Sequence, residues 1–243
     1  MNKALTVLLL STFAAGTAAA TTLHFGTTTA NPPYETVNSK NQPTGFDIDL
    51  ANALCRQLQA TCKFTAQRFD TLIPALRFKK FDAIIAGIEV LPMREKQVAF
   101  SHPYRQALSG VVVTAKDAAH TFADLQNKTL GVVKGTIHQR YLRDKQKAIH
   151  AVPYESDESA LNALKEGAIS GVIGDQETLS KWLEDNPGYA MMDQRATDPG
   201  YYGKQIAIAV RKDDPELLNN LNAALETVKA SAEFQQMEQK WFK

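Results

Sequence analysis

Cysteine is nearly absent from this chain. Cys55 and Cys62 are the only two in 243 residues, which rules out a multi-cysteine zinc or iron–sulfur centre. Neither sign of charge predominates: 27 lysines and arginines face 26 aspartates and glutamates, so no bulk field exists to grip nucleic acid or an anionic membrane. No basic tract interleaves with aromatics, and no GxSxG elbow, HExxH pair or P-loop occurs. The five histidines (His24, His102, His120, His138, His150) are scattered without metal-ligand spacing. No metal, no cofactor and no nucleic-acid partner is expected. Long hydrophobic runs are also missing past the N-terminus, where Val111–Val113 and Ile206–Val210 have only strand length. What remains is ordinary globular usage, 44% hydrophobic and 22% charged, in a chain long enough for one large domain or two small ones.

The N-terminus reads as an address. Lys3 precedes the apolar run Leu5–Ala15, then Gly16-Thr17-Ala18-Ala19-Ala20. That run is shorter than the roughly 20 residues of a membrane span, and its flanks are those of a secretory signal peptide over residues 1–20. The expected product is free in an oxidising compartment, most simply a bacterial periplasm. There Cys55 and Cys62 can pair, the alternative being two buried thiols. So short a loop gains on the order of 2–3 kcal/mol from a disulfide.

Strand and helix patterns alternate along the rest. Strands are expected at Leu23–Phe25, Cys62–Thr65 and Asp82–Ala86, with helices from Asp47 (apolar face Leu50, Ala51, Leu54, Leu58) and over Thr71–Lys80. Asp47 and Asp49 suit the positive end of the first helix. Past Val113 the pattern restarts: strands at Leu130–Val133, His150–Val152 and Gly171–Gly174, and helices from His138, Ser156 and Thr178. Two more helices, capped by Asp214-Pro215 and by Ser231, close the chain. Such alternation predicts an α/β fold in two lobes, with Leu108–Thr114 and Gln205–Arg211 as the crossovers. The expected division is 21–109 plus 206–243 for the first lobe and 110–205 for the second. Strand ends of such sheets open onto a crevice where ligands bind.

Three places carry candidate chemistry. Ala86–Arg94 leaves a buried strand and brings Glu89 and Arg94 near its C-terminal end. Arg94 is either a bidentate clamp for a carboxylate or half of an exposed ion pair. The turn Lys134-Gly135-Thr136-Ile137 is either an anion seat at a helix N-terminus or an ordinary connection. Asp175 is either a helix cap or an acceptor for an ammonium.

In order and spacing, these segments resemble the periplasmic polar amino-acid binding proteins of ABC importers. The likeness spans essentially the whole chain after residue 20. It rests on Pro32-Pro33-Tyr34, Gly45–Ala51, the cysteine pair, Phe69–Leu76, Pro92–Lys96, Phe100–Tyr104, Gly135-Thr136 and Tyr201-Tyr202-Gly203. Ala86-Gly87 before an acidic residue, and Gly-Thr-x-His-Gln at 135–139, point to the arginine and lysine/arginine/ornithine binders. The resemblance implies a type II clamshell with two hinge strands that closes on one amino acid and is then read by a membrane permease. It assigns Arg94 to the ligand α-carboxylate, with backbone N–H groups near Glu89 and Ile137. It assigns Asp175, the Gly87 carbonyl and Glu89 to the α-ammonium, and Phe69 to the wall against the side chain.

Thr28, Asn31 and Ile137 depart from that pattern. Thr28 stands where cation binders often carry an acidic or small polar residue, Asn31 replaces a second aromatic wall, and Ile137 replaces a threonine. Counting Arg94, Glu89 and Asp175 leaves the site one negative charge in excess, which a ligand with a cationic side chain would cancel. A basic L-amino acid, arginine first, is therefore expected, bound by a monomer. A protonated Glu89 would admit a neutral ligand such as glutamine. The alternatives are a cyclohexadienyl-type dehydratase using Glu89 as acid, or a ligand-sensing partner of a signalling receptor.

Overall fold

The computed structural model describes residues 21–115, 119–198, 200–202 and 205–242. The expected signal peptide, residues 1–20, lies outside them, as does Gly203. The chain opens with β1 (Thr21–Thr27), β2 (Thr36–Val37), β3 (Pro43–Thr44), α1 (Phe46–Gln57), β4 (Ala60–Ala66), α2 (Phe69–Arg77) and β5 (Ala83–Ile84). α3 (Pro92–Glu95), β6 (Ala99–Phe100), β7 (Ser109–Thr114), β8 (Thr129–Val133), α4 (Ile137–Lys145) and β9 (His150–Tyr154) follow. Then come α5 (Asp157–Lys165), β10 (Gly171–Asp175), α6 (Gln176–Glu184), β11 (Tyr189–Met191), β12 (Ala209–Val210), α7 (Pro215–Lys229) and α8 (Ala232–Phe242). Among these elements no helix is long and apolar enough to cross a membrane.

Two five-stranded sheets organise the molecule, in the orders β4-β1-β5-β12-β6 and β11-β7-β10-β8-β9. β1 pairs parallel with β4 and β5, and β8 parallel with β9 and β10. β12 returns late and runs antiparallel between β5 and β6. Side chains alternate across each sheet. Ile208 and Val210 face the cluster with Phe25, Phe46, Leu50 and Leu225, whereas Ala209 faces Leu72, Leu76 and Phe81. In the second sheet Val111 and Val113 face Leu130 and Tyr141, and Val112 faces Leu161 and Leu179. Each lobe is thus a sheet covered on both faces.

The chain crosses between lobes at the near ends of the two expected segments. Ile206 N–H donates to the Arg105 carbonyl at 2.8 Å, Tyr104 N–H to the Ile206 carbonyl at 3.0 Å, and Val90 N–H to the Gln205 carbonyl at 2.9 Å. Val111–Val113 and Ile208–Val210 are at most 2% exposed. Residues so apolar belong inside a sheet covered on both faces, so the crossing falls ahead of them in the chain.

Local signals explain most boundaries. Ser156 and Ser159 form a reciprocal cap on α5, Asp214 accepts the Leu217 N–H at the start of α7, and Ser231 accepts that of Phe234. α2 starts at Phe69, two residues before the expected Thr71, whose hydroxyl instead donates to the Arg68 carbonyl at 2.7 Å. Cys55 and Cys62 are disulfide-bonded, with Cα atoms 5.8 Å apart, tying the last turn of α1 to β4.

Candidate functional site

Between the lobes lies a cavity of about 280 Å³. That is near the lower end of the roughly 300–1,000 Å³ of small-molecule sites. It opens at the C-terminal ends of β1, β5, β8 and β10, where a parallel sheet presents its loops. All eight residues expected at the site, Thr28, Asn31, Phe69, Gly87, Glu89, Arg94, Ile137 and Asp175, line it.

Arg94 sits in the short helix α3, whose first residue Pro92 needs no N–H partner there. Arg94 as a whole is 7% exposed, so it is not part of a solvent ion pair. It donates to the Glu89 carbonyl at 3.0 Å and lies 5.2 Å from the Phe69 ring centre. Burial lowers its pKa while Glu89 and Asp175 pull the other way; an arginine keeps its charge under such pressure. The loop leaving β5 passes through Gly87 at φ 56°, a left-handed conformation that favours glycine.

Facing it, Asp175 ends β10 at the N-cap position of α6, yet its side chain makes no cap hydrogen bond. Its Oδ1 instead stands 3.4 Å from His138 Nε2. The turn before α4 is largely engaged by its own residues. The Gly135 N–H donates to Gln139 Oε1 at 2.9 Å, and Thr136 caps the helix at the Gln139 N–H. What faces the cavity is the first turn of α4, whose leading N–H groups lack intrahelical acceptors.

Three contributors escaped the sequence reading. His138 lines the cavity at 4% exposure, bonded weakly to Asp175 on one ring nitrogen and to the Tyr202 hydroxyl on the other. Burial pulls its pKa down, but Asp175, Glu89 and Asp157 outweigh that and raise it. Asp157, also in the lining, is pushed up to about 7, chiefly by burial and then by Asp175. Glu35 is completely buried behind Thr28 and Asn31; its Oε1 accepts from the Thr28 hydroxyl at 2.8 Å and from Asn31 Nδ2 at 3.3 Å. An acid thus stands one layer behind position 28. Burial, followed by Asp47, raises the Glu35 pKa.

The count based on Arg94, Glu89 and Asp175 therefore omits groups that matter. Asp157, Glu35 and Asp47 are buried carboxyls that hold their protons toward neutral pH, and His138 can add a proton. In the sequence, Glu35 directly follows the Pro32-Pro33-Tyr34 run without being singled out by it, and His138 stands out only as a member of the Gly-Thr-x-His-Gln run at 135–139, not as a site residue.

The lobes touch directly across the cavity mouth. Thr178 Oγ1 of α6 donates to Asn31 Oδ1 at 2.7 Å, and Arg68 pairs with Glu155 at 2.8 Å. Lys134 lies 3.5 Å from Asp70, and a side chain at Gly135 would strike the Asp70 backbone at 3.0 Å. This is a closed cleft.

The family model for bacterial extracellular solute-binding proteins, family 3, matches residues 23–243. ABC transporter arginine-binding protein 1 of Escherichia coli is 43% identical over 242 residues, covering 100% of this chain and 99% of the relative. A Salmonella typhimurium periplasmic binding protein described for high arginine specificity is 57% identical with a TM-score of 0.89, covering 92% of this chain and 100% of that one. An ancestral arginine-binding protein solved with arginine is 32% identical at a TM-score of 0.85, covering 91% of this chain and 98% of that one. The same was solved with glutamine.

Proposed function

Because the chain belongs to the bacterial extracellular solute-binding proteins of family 3, we propose that its cleft takes up one amino acid, arginine first, and hands it to an ABC permease. The observation that carries this is one closed cavity with Arg94 on one lobe and Asp175 on the other, amid an excess of acid. Arg94 holds the α-carboxylate, assisted by N–H groups of the first turn of α4. Asp175, Glu89 and the Gly87 carbonyl hold the α-ammonium.

The side chain then runs along Phe69 toward Thr28 and Asn31. The Thr28 proton is committed to Glu35, so its lone pairs face the cleft as acceptors for a guanidinium. Glu89 and Asp175 against the one guanidinium of Arg94 leave a negative excess that a cationic side chain cancels and a neutral zwitterion does not. Mature protein works in the periplasm as a monomer, after removal of residues 1–20. The moving bodies are residues 21–109 with 206–243, and 110–205; sheet membership supports that division.

Two measurements test the proposal. Arg94→Ala removes a charge-assisted pair worth roughly 3 kcal/mol, so calorimetry should find arginine binding about a hundredfold weaker or lost. Retained affinity removes Arg94 from its role. A thermal-shift panel of the twenty amino acids should give arginine the largest rise, and glutamine in first place would overturn the basic-ligand reading. A receptor returns its ligand unchanged; turnover of a cyclohexadienyl carboxylate would favour the dehydratase reading instead.

A further inference from the structure

The side of the cleft around Asp175 adds a ring nitrogen to the two carboxylates that amino-acid binding uses. One oxygen of Glu89, one of Asp175 and a ring nitrogen of His138 all lie within 4.8 Å of one another. The His138 Nε2 to Asp175 Oδ1 separation is 3.4 Å, longer than a well-formed N–H···O bond of about 2.7–3.2 Å. It matches the spacing of neighbouring donors around tetrahedral zinc, where bonds of roughly 2.0–2.2 Å set them about 3.4 Å apart.

The second ring nitrogen, Nδ1, faces the Tyr202 hydroxyl at 3.4 Å. With the proton on Nδ1, the Nε2 lone pair is left facing Asp175 Oδ1. A polar group facing the far ring nitrogen, as the Tyr202 hydroxyl does here, is the usual setting of a metal-bound histidine. Asp157 strengthens the field: it is 9% exposed, lines the same cavity, and its Oδ1 is buried without a hydrogen-bond partner.

We propose that Glu89, His138 and Asp175 form a site for a divalent transition metal of the zinc type, and that the ion and an amino acid exclude one another. The ion takes the place of the ligand's ammonium. A mixed imidazole and carboxylate set suits zinc and disfavours magnesium, which demands near-octahedral oxygen coordination. Glu89 belongs to the first sheet's lobe and the other two to the second, so the metal bridges the cleft. The site stands on its own geometry; only the exclusion clause rests on the proposed amino-acid function.

Protein dialysed against chelator and then against buffer is titrated with zinc chloride in a calorimeter. The expected result is one zinc per chain with no binding of magnesium. Both His138→Asn and Asp175→Asn should weaken zinc at least tenfold while still unfolding cooperatively. Saturating zinc should weaken arginine at least tenfold. Absence of stoichiometric zinc binding, equal magnesium binding, or zinc affinity unchanged in His138→Asn overturns the site. Zinc binding that leaves arginine affinity unchanged overturns the exclusion. Zinc binding in a protein that takes no amino acid leaves the site standing and removes the amino-acid reading. If a variant fails to fold, Glu89→Gln, from the opposite lobe, supplies the same test.

Discussion

Glu35, Asp47, Glu89 and Asp157 are buried in or beneath the cleft, and their titration is a residue-scale property open to measurement. Asp47, in the first turn of α1, accepts the Gly87 N–H at 2.7 Å and the Tyr104 hydroxyl at 2.9 Å. Burial outweighs both bonds and raises its pKa to about 7 from 3.8. A carboxyl raised in the folded state binds its proton more tightly there than in the unfolded chain. Its stabilising effect is complete below about pH 4 and is lost as pH rises through about 7. His138, also raised, acts in the same direction above its ordinary 6.5. The ligand-free protein should therefore unfold at a lower temperature at pH 8 than at pH 5. Asp47→Asn, which keeps an acceptor oxygen, should shrink that drop. Circular dichroism melts at the two pH values decide; an undiminished drop in the variant removes Asp47 as its source.

Single elements are held by devices remote from the cavity. The Cys55–Cys62 bridge closes a loop of seven-residue separation between α1 and β4. Replacing both by serine should cost about 2–3 kcal/mol in urea unfolding. Neither cysteine lines the cavity, so arginine affinity should be unchanged in the same variant. α7 depends on Asp214, which accepts the Leu217 N–H at 3.2 Å and pairs with Arg211 at 3.1 Å. Asp214→Ala should destabilise by about 1 kcal/mol, again with binding intact.

Across the whole molecule, the closed form is held by contacts of unequal worth. The Thr178–Asn31 hydrogen bond is buried on the Thr178 side, at 1% exposure. Thr178→Val leaves Asn31 Oδ1 without that donor only when the lobes are closed, a penalty of about 1–3 kcal/mol. Ligand affinity is linked to closure, so arginine should bind roughly tenfold more weakly in this variant. Arg68 and Glu155 pair across the same mouth but are half-exposed, with side chains 48% and 58% accessible. Such pairs contribute at most about 1 kcal/mol, so Arg68→Ala should change affinity by less than about fivefold. Calorimetry on the two variants separates a buried latch from a solvated one. Small-angle scattering of parent protein should show compaction when arginine is added.

By itself, the sequence determined the alternation of strand and helix, the caps at Ser156, Asp214 and Ser231, and the cysteine pairing. All of these depend on neighbours a few residues apart or on composition. Short spacing also brought Glu89 and Arg94 together, on one turn after β5. Tertiary structure alone decided which acids lie at or behind the cavity: Asp157 lines it from the start of α5, while Glu35 stands behind Thr28 and Asp47 behind Gly87. It also distinguished His138 from four other histidines, because its partners Asp175 and Tyr202 lie 37 and 64 residues away. Charge and hydrogen-bond environments are set by distance through space. No local pattern in the chain encodes separations that only the packing of two sheets brings down to a few ångströms.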